Sequence, residues 1–254
     1  MSRDMRVLDL DELRGVVGEQ PYPLVFATVS GAHLYGFASV DSDVDLRGVH
    51  VLPAAELLGL RRGPETLDAT FDRAGAEMDL VTHDVVKFAR MMLRRNGYVL
   101  EQLLSPLVVT SSPGHAELVA LAPACLTRHH ARHYLGFARG QWELFGRTGR
   151  LKPLLYAVRV LATGTHLLRT GQLEASLPAL LDLAPAWTPD ALAAKAADER
   201  LPVERAGLPG VERLQADVER MTRVLEQAQQ DSTLPDEASV EPALHDLVLR
   251  LRRS

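Results

Sequence analysis

The chain contains only one cysteine, Cys125, which excludes an internal disulfide and a zinc cluster built from cysteines. We expect this residue to pack as a small hydrophobic side chain near the start of a helix. The sequence also lacks a charged-then-apolar leader and any uninterrupted apolar run of membrane-spanning length. We therefore expect a cytoplasmic protein without a membrane partner.

A net positive charge is also missing, because the formal net charge is −5 at pH 7. This average does not favour a nucleic-acid-binding protein, but it conceals a local excess of bases over residues 127–170. The only acid in that segment is Glu143, and its bases are Arg128, Arg132, Arg139, Arg147, Arg150, Lys152, Arg159 and Arg169. Such an excess indicates a face that meets phosphate. The alternative is a solvated helix surface that acidic neighbours elsewhere in the fold neutralise.

The composition is that of a soluble globular protein, with 46% hydrophobic and 24% charged residues in 254, enough for one large or two small domains. Strand patterns cover residues 24–29, about 43–51 and 77–82, while residues 61–70 are expected to form a loop or a weak hairpin. The pattern becomes helical from residue 117, with long helices predicted over about 127–145 and 153–169. We predict an α+β (α/β) fold, in which a mixed sheet with flanking helices over residues 1–115 precedes a helical domain over residues 116–254.

The most informative segment is Val29–Val51, where a glycine turn follows a buried strand and precedes two aspartates separated by one apolar residue. Side chains at i and i+2 of a strand share a face, so Asp43 and Asp45 are expected to point together, away from the core. Two neighbouring carboxylates repel each other unless a cation lies between them, and oxygen ligands on a rigid strand suit Mg²⁺. A solvated strand edge or turn is the alternative for this short pattern.

This order of elements resembles the nucleotidyltransferase motif of the DNA polymerase β superfamily and, more narrowly, its RlaP-type branch of RNA-repair nucleotidyltransferases. The broad resemblance rests on the glycine turn and on the Asp-x-Asp pair about a dozen residues later. The narrower one rests on the segment from His33 to Gly36, His-Leu-Tyr-Gly, and on Arg47-Gly48 after the carboxylates. The resemblance implies that residues 1–115 form a catalytic domain with a nucleotidyltransferase-type mixed sheet. The family usually has Ser after the first glycine, whereas this chain has Ala32.

The resemblance also implies a set of site residues. Asp43 and Asp45 would hold two Mg²⁺ ions, with Mn²⁺ as the alternative, and the superfamily brings a third carboxylate from the next core strand. That carboxylate is Asp79 here, with Glu77 as the less favoured choice; it would bind metal and accept the proton of the attacking hydroxyl. The residues assigned to the nucleotide are Ser30, Gly31, Ala32, His33, Tyr35, Arg47, Lys152, Tyr156 and Arg159. The last three share one helix face at i, i+4 and i+7, and an ordinary surface position is their alternative.

Two further positions match the narrower family, Asn96 and Glu101. The residues alone give them ordinary roles. We expect Asn96 to cap the helix that begins near Tyr98, because Asn is a favoured residue at that place. We expect Glu101 to be a charge on the surface of the same helix.

The implied reaction is transfer of NMP from an NTP, with ATP expected, to a hydroxyl acceptor, with release of pyrophosphate. The basic segment and the narrower resemblance favour an RNA end, such as that of a tRNA, as the acceptor. A small molecule such as an aminoglycoside, or a protein hydroxyl, would use the same core. A non-catalytic module that binds nucleotide or RNA is the alternative of another class, and Ala32 motivates it.

Overall fold

The computed structural model describes residues 9–39, 41–73, 75–198 and 201–253. They divide into two compact units, which we call the sheet unit and the helical unit. The sheet unit consists of the described residues of 6–34, 43–125 and 237–254, and the helical unit of those of 35–42 and 126–236. The division predicted at residue 115 treats each domain as one continuous segment, whereas each of these units is assembled from separate segments.

The sheet has five strands in the described part of the chain. They are β1 (Leu24–Val29), β2 (Val44–His50), β3 (Thr66–Arg73), β4 (Ala76–Asp84) and β5 (Val108–Ser111). Their order across the sheet is β3-β4-β2-β1-β5. The pair β2–β4 is parallel, and the other neighbouring pairs are antiparallel. The sheet is therefore mixed, which confirms the predicted α+β class.

The α-helices divide between the two units. In chain order, the sheet unit contains α1 (Leu10–Gly18), α2 (Gly31–Leu34), α3 (Ala55–Leu58), α4 (Val85–Leu93), α5 (Gly97–Leu103) and α6 (Pro113–Leu121). The helical unit contains α7 (Ala131–Thr148), α8 (Leu151–Thr170), α9 (Thr188–Ala197) and α10 (Val211–Asp231), and α11 (Glu241–Leu251) belongs to the sheet unit. Over the described ranges, no helix combines the length and apolar character needed to cross a membrane.

Each of the two long helices of the basic segment ends directly before a glycine, and α7 continues to Thr148, beyond the predicted end at about residue 145. Gly149 follows α7 and Gly171 follows α8, with φ angles of 61° and 70°. Glycine adopts this left-handed conformation at no steric cost, so it is the usual residue after the last helical turn. These two glycines therefore fix the lengths of α7 and α8.

Alternation along the two parallel strands divides the sheet into an apolar and a polar face. Val44 and Leu46 of β2 and Met78 and Leu80 of β4 are at most 2% exposed, and they join one apolar cluster. Helix α1 covers that face of the sheet with Leu13, Val16 and Val17. Residues at the alternate positions, among them Asp45 and Asp79, therefore point to the opposite face.

The edge strand β3 differs from its prediction. Residues 61–70 are predicted to form a loop or a weak hairpin, but Thr66–Arg73 forms β3 at the edge of the sheet, antiparallel to β4. Each of its side chains is half-buried or exposed. Backbone hydrogen bonds to β4 therefore define this strand. Its side chains do not alternate between buried and exposed positions, so the sequence has no clear strand pattern here.

The single cysteine is buried, as predicted. Cys125 ends a short 3₁₀ turn, Ala122–Cys125, and is 1% exposed. Burial raises the pKa of its thiol to about 11, since the thiolate would lose its hydration. Cys125 is therefore protonated at neutral pH and packs as an apolar side chain.

Candidate active site

A glycine turn connects β1 to α2 and brings the backbone against Asp45. The amide of Ser30 donates a hydrogen bond to the carbonyl of Asp45, with 2.8 Å between N and O. Gly31 has a φ of 60°. A Cβ atom at Gly31 would lie 1.8 Å from Oδ2 of Asp45, so no other residue fits here without displacing that carboxylate.

The parallel pairing of β2 and β4 sets Asp45 opposite Asp79. These two residues are register partners in the ladder, and both are only partly exposed. Since residues at matching positions of adjacent strands point to the same face, the two carboxylates are neighbours. The sequence predicted Asp79 as the residue that joins the Asp-x-Asp pair, and the strand register is consistent with that prediction.

Arg47 lies between these two carboxylates. Its Nη2 is 2.7 Å from Oδ1 of Asp45 and 2.8 Å from Oδ2 of Asp79. Nη1 donates to the carbonyls of Leu46 and Asp79 at 2.9 and 2.6 Å, and Nε donates to the hydroxyl of Tyr98 at 3.0 Å. The guanidinium therefore bridges two strands and the first turn of α5.

This network keeps Arg47 charged. Burial alone would lower its pKa, because a cation loses hydration in the protein. The opposing contributions of Tyr98, Asp45 and Asp79 outweigh burial, so that the pKa of Arg47 lies above its ordinary value. The carboxylate pair thus has a partner within the chain that stays positively charged.

Asp43 stands apart from this network. It precedes the first residue of β2, is partly exposed, and has no ion pair or side-chain hydrogen bond with the described residues. Within those residues, no three or more His, Cys, Asp or Glu side chains are grouped closely enough to hold a metal ion. The assignment of Asp43, Asp45 and Asp79 as a joint metal site therefore stays a prediction.

Four of the predicted nucleotide-binding residues lie in the helical unit. Lys152, Tyr156 and Arg159 are on α8, and Tyr35 is in the segment that joins this unit from the glycine turn. The guanidinium carbon of Arg159 is 3.6 Å from the centre of the Tyr35 ring, and the Tyr156 ring meets the Tyr35 ring edge-on. Arg159 is 2% exposed, which excludes the ordinary surface position for this residue. A cation over an aromatic face stabilises this packing.

The remaining members of the predicted set lie in the turn and α2. Ala32 is 4% exposed, and His33 is partly exposed. The hydroxyl of Ser30 is buried and has no hydrogen-bond partner within the described ranges. A buried hydroxyl without a partner is uncommon, because it forfeits its hydrogen bonds to water.

Helix α5 contains one residue that sequence reasoning missed and one that it misplaced. The hydroxyl of Tyr98 accepts a hydrogen bond from Arg47, which is 51 residues away in the sequence. No local sequence pattern predicts a contact between residues so far apart. Asn96 accepts a hydrogen bond from the amide of Tyr98, which confirms its predicted role as a cap. The predicted surface position of Glu101 is wrong, because Glu101 is 1% exposed and nearly every other residue of this short helix is buried as well.

Two known proteins resemble parts or most of this chain. An uncharacterised protein of Methanocaldococcus jannaschii is 28% identical over 152 residues, a match that spans 59% of this chain and 62% of that protein's length. The crystal structure of a nucleotidyltransferase-like protein from Exiguobacterium sibiricum 255-15 aligns with 96% of this chain and 78% of its own, with 13% identity and a TM-score of 0.35.

Register-matched carboxylates beside a glycine turn, in a mixed α+β unit, are the arrangement that the resemblance to the polymerase β superfamily predicts. The sequence matches the model of one such family over residues 5–250. The chain belongs to this family, RlaP, described as the RNA repair pathway DNA polymerase beta family. This match confirms the resemblance seen in the motif.

Gly31→Ala is expected to destabilise the protein by about 1–2 kcal/mol, since a non-glycine residue is strained at this φ and its Cβ would collide with Asp45. The measurement is the free energy of unfolding in urea. Gly18→Ala is the matched control, because a Cβ at Gly18 would have no atom within 4 Å. Equal stabilities of the two variants would show that the turn tolerates a side chain.

Proposed function

We propose that this protein is a metal-dependent nucleotidyltransferase, which transfers NMP from an NTP to a hydroxyl at an RNA end. The observation that carries the proposal is the position of Asp45, which is the register partner of Asp79 and lies directly against the Gly31 turn. Membership of a family described by RNA repair supports the choice of acceptor. ATP is the nucleotide we expect.

The donor set is suited to Mg²⁺. Asp45 and Asp79 offer hard carboxylate oxygens from rigid strands, and Asp43 adds a third carboxylate two positions before Asp45. The guanidinium of Arg47 contacts one oxygen of Asp45 and one of Asp79, so a positive charge already lies between these carboxylates. We assign Asp43, Asp45 and Asp79 as the ligands of two Mg²⁺ ions, with Mn²⁺ as the alternative.

Each residue then has a defined task. Bound Mg²⁺ would neutralise the triphosphate and polarise the α-phosphate. The carboxylate of Asp79 would accept the proton of the attacking hydroxyl. The remaining work of the chain is to position the NTP and the acceptor, because this reaction depends mainly on positioning and charge neutralisation.

Ser30 is our candidate for the phosphate contact that Ala32 cannot make. The family usually supplies a hydroxyl at the position of Ala32. In this chain, the hydroxyl of Ser30 is adjacent to the same glycine and has no hydrogen-bond partner in the described part of the structure. A hydrogen bond to a charged phosphate would satisfy it and is worth about 1.5–3 kcal/mol.

The exposed face of α7 supports an RNA acceptor. Arg132, Arg139 and Arg147 are all exposed, and none forms an ion pair with the described residues. Their spacing of seven and eight residues keeps them on one side of the helix. The bases of the segment are not all available in this way, since Arg128 pairs with Asp236 and Arg159 is buried.

The test of the proposed reaction uses the purified chain, Mg²⁺, each α-labelled NTP in turn and total RNA as the acceptor pool. We expect label in RNA with the intact protein and none with the Asp43→Ala, Asp45→Ala double variant. Label on a protein or a small molecule would preserve the chemistry and contradict the RNA acceptor. Binding of NTP without any transfer would favour the non-catalytic module.

A second prediction concerns the arginines of α7. Replacing Arg132, Arg139 and Arg147 with Glu is expected to weaken RNA binding and to reduce the slope of log K against log salt by about two, at about 0.7 per lost phosphate contact. Binding is measured by fluorescence anisotropy of a labelled RNA at several salt concentrations. The matched control replaces Arg61, Arg62 and Arg205, which are also exposed, and so changes the net charge equally. Equal losses in the two triple variants would contradict a specific RNA face.

A further inference from the structure

Arg47 occupies the place between Asp45 and Asp79 where the proposed function requires a metal ion. One nitrogen of its guanidinium, Nη2, contacts an oxygen of each carboxylate, at 2.7 and 2.8 Å. These are short, charge-assisted hydrogen bonds, which are about twice as strong as neutral ones. The two carboxylates therefore do not face each other as uncompensated charges when the chain is free of metal.

The side chain of Arg47 is held in that place by groups other than the two carboxylates. Its Nη1 donates to the carbonyls of Leu46 and Asp79, and its Nε donates to the hydroxyl of Tyr98. The side chain is only 10% exposed. Tyr98 belongs to α5 and not to the strands, so it fixes the guanidinium from outside the ladder.

A divalent cation would bind the same two carboxylates, of which Arg47 already holds Oδ1 of Asp45 and Oδ2 of Asp79. Magnesium binds carboxylate oxygen at about 2.0–2.1 Å and demands nearly ideal octahedral geometry. A guanidinium kept in hydrogen-bond contact with both oxygens would repel the ion and block part of its coordination sphere. Metal coordination by Oδ1 of Asp45 or Oδ2 of Asp79 therefore requires Arg47 to give up its hydrogen bond to that oxygen.

We propose that Arg47 is an internal counter-cation that competes with the divalent metal for Asp45 and Asp79, and that Tyr98 positions it for this competition. This inference rests on the proposed function, because that function assigns the two carboxylates to the metal. It makes Arg47 and Tyr98 positioning residues, which hold the ligands together before the metal arrives and set the affinity of the site.

The experiment measures Mn²⁺ binding to the full chain, without NTP or RNA, from the electron paramagnetic resonance signal of free Mn²⁺. Arg47→Met, which keeps a long unbranched side chain and removes the charge, is expected to bind Mn²⁺ about tenfold more tightly than the wild type, a change of about 1.4 kcal/mol. Tyr98→Phe should shift the dissociation constant in the same direction by a smaller factor. Arg61→Met is the matched control, since Arg61 is exposed and the charge change is the same.

Each outcome has a defined meaning. Arg47→Met binding Mn²⁺ no more tightly than Arg61→Met would overturn the inference, because a merely structural arginine would not raise metal affinity when removed. If Arg47→Met fails to fold, Tyr98→Phe decides, since it loses one hydroxyl and keeps the ring; unchanged or weaker Mn²⁺ binding would then overturn the inference. Asp45→Asn distinguishes a failure of the proposed metal site from a failure of the proposed competition by Arg47. Unchanged Mn²⁺ binding in that variant would contradict the metal site itself, whereas lost binding there without a gain in Arg47→Met would contradict only the competition.

Discussion

Asp79→Asn is expected to lower the rate of nucleotidyl transfer by about a thousandfold while the protein remains folded. The amide keeps the shape of the side chain and an oxygen that Arg47 can still contact. It removes the negative charge that would bind metal and the basic oxygen that would accept the proton of the acceptor. The measurement is the initial rate of label transfer at saturating NTP and Mg²⁺, together with a urea unfolding curve.

Glu77→Gln is the matched control for this variant. Glu77 lies on the same strand, two positions before Asp79, and the charge change is identical. Glu77 is exposed, whereas Asp79 is partly buried and bonded to Arg47. We expect Glu77→Gln to transfer label at nearly the wild-type rate. If Glu77→Gln loses most of its transfer activity while Asp79→Asn retains it, the role of third carboxylate belongs to Glu77.

The parts of the fold that the sequence predicts are those that local periodicity encodes. Alternation over the first three residues of β2 and throughout β4 separates buried residues such as Leu46 and Leu80 from polar neighbours such as Asp45 and Asp79. Turn glycines and helix caps mark where elements end. This local information is sufficient for the class of fold, whereas the choice of Asp79 as the third carboxylate also depends on the family resemblance.

The parts that the sequence does not predict depend on contacts between distant segments. Tyr98 meets Arg47 because α5 packs near the polar face of the sheet, and nothing in either segment encodes the pair. The segment after the glycine turn belongs to the helical unit, where Tyr35 packs beneath Arg159. Tyr35 and Arg159, which the resemblance assigns to nucleotide binding, therefore pack against each other.

This cluster gives the His-Leu-Tyr-Gly segment a physical role beyond the turn. The Tyr35 ring contacts both Arg159 and Tyr156, which lie one helical turn apart on α8. The neighbouring Gly36 has a φ of 78°, and a Cβ there would lie 2.7 Å from Pro178. The motif therefore specifies close packing within the helical unit as well as a turn beside Asp45.

The second large effect is expected at the end of α11, where Arg252→Ala should destabilise the protein by about 3 kcal/mol. Nη2 of Arg252 lies 2.6 and 2.7 Å from the two oxygens of Asp84, and its other terminal nitrogen donates to the carbonyl of Leu52. The side chains of the pair are 10% and 2% exposed. Removing the arginine leaves a buried carboxylate whose remaining hydrogen bonds from the described residues come from the amides of Leu52 and Val86. Urea unfolding of the full chain measures the change.

The neighbouring helix residue Arg250 provides the control, because it forms an ion pair with Glu117 in which both side chains are exposed. Solvent screens such a pair, so Arg250→Ala should change the unfolding curve little. Asp84→Asn introduced together with Arg252→Ala should recover part of the loss, since the uncompensated buried charge is then gone. If Arg252→Ala and Arg250→Ala are equally stable, the buried pair does not anchor α11. Because Asp84 ends β4 and also caps α4, a confirmed loss would show that this C-terminal arginine stabilises the strand that presents Asp79.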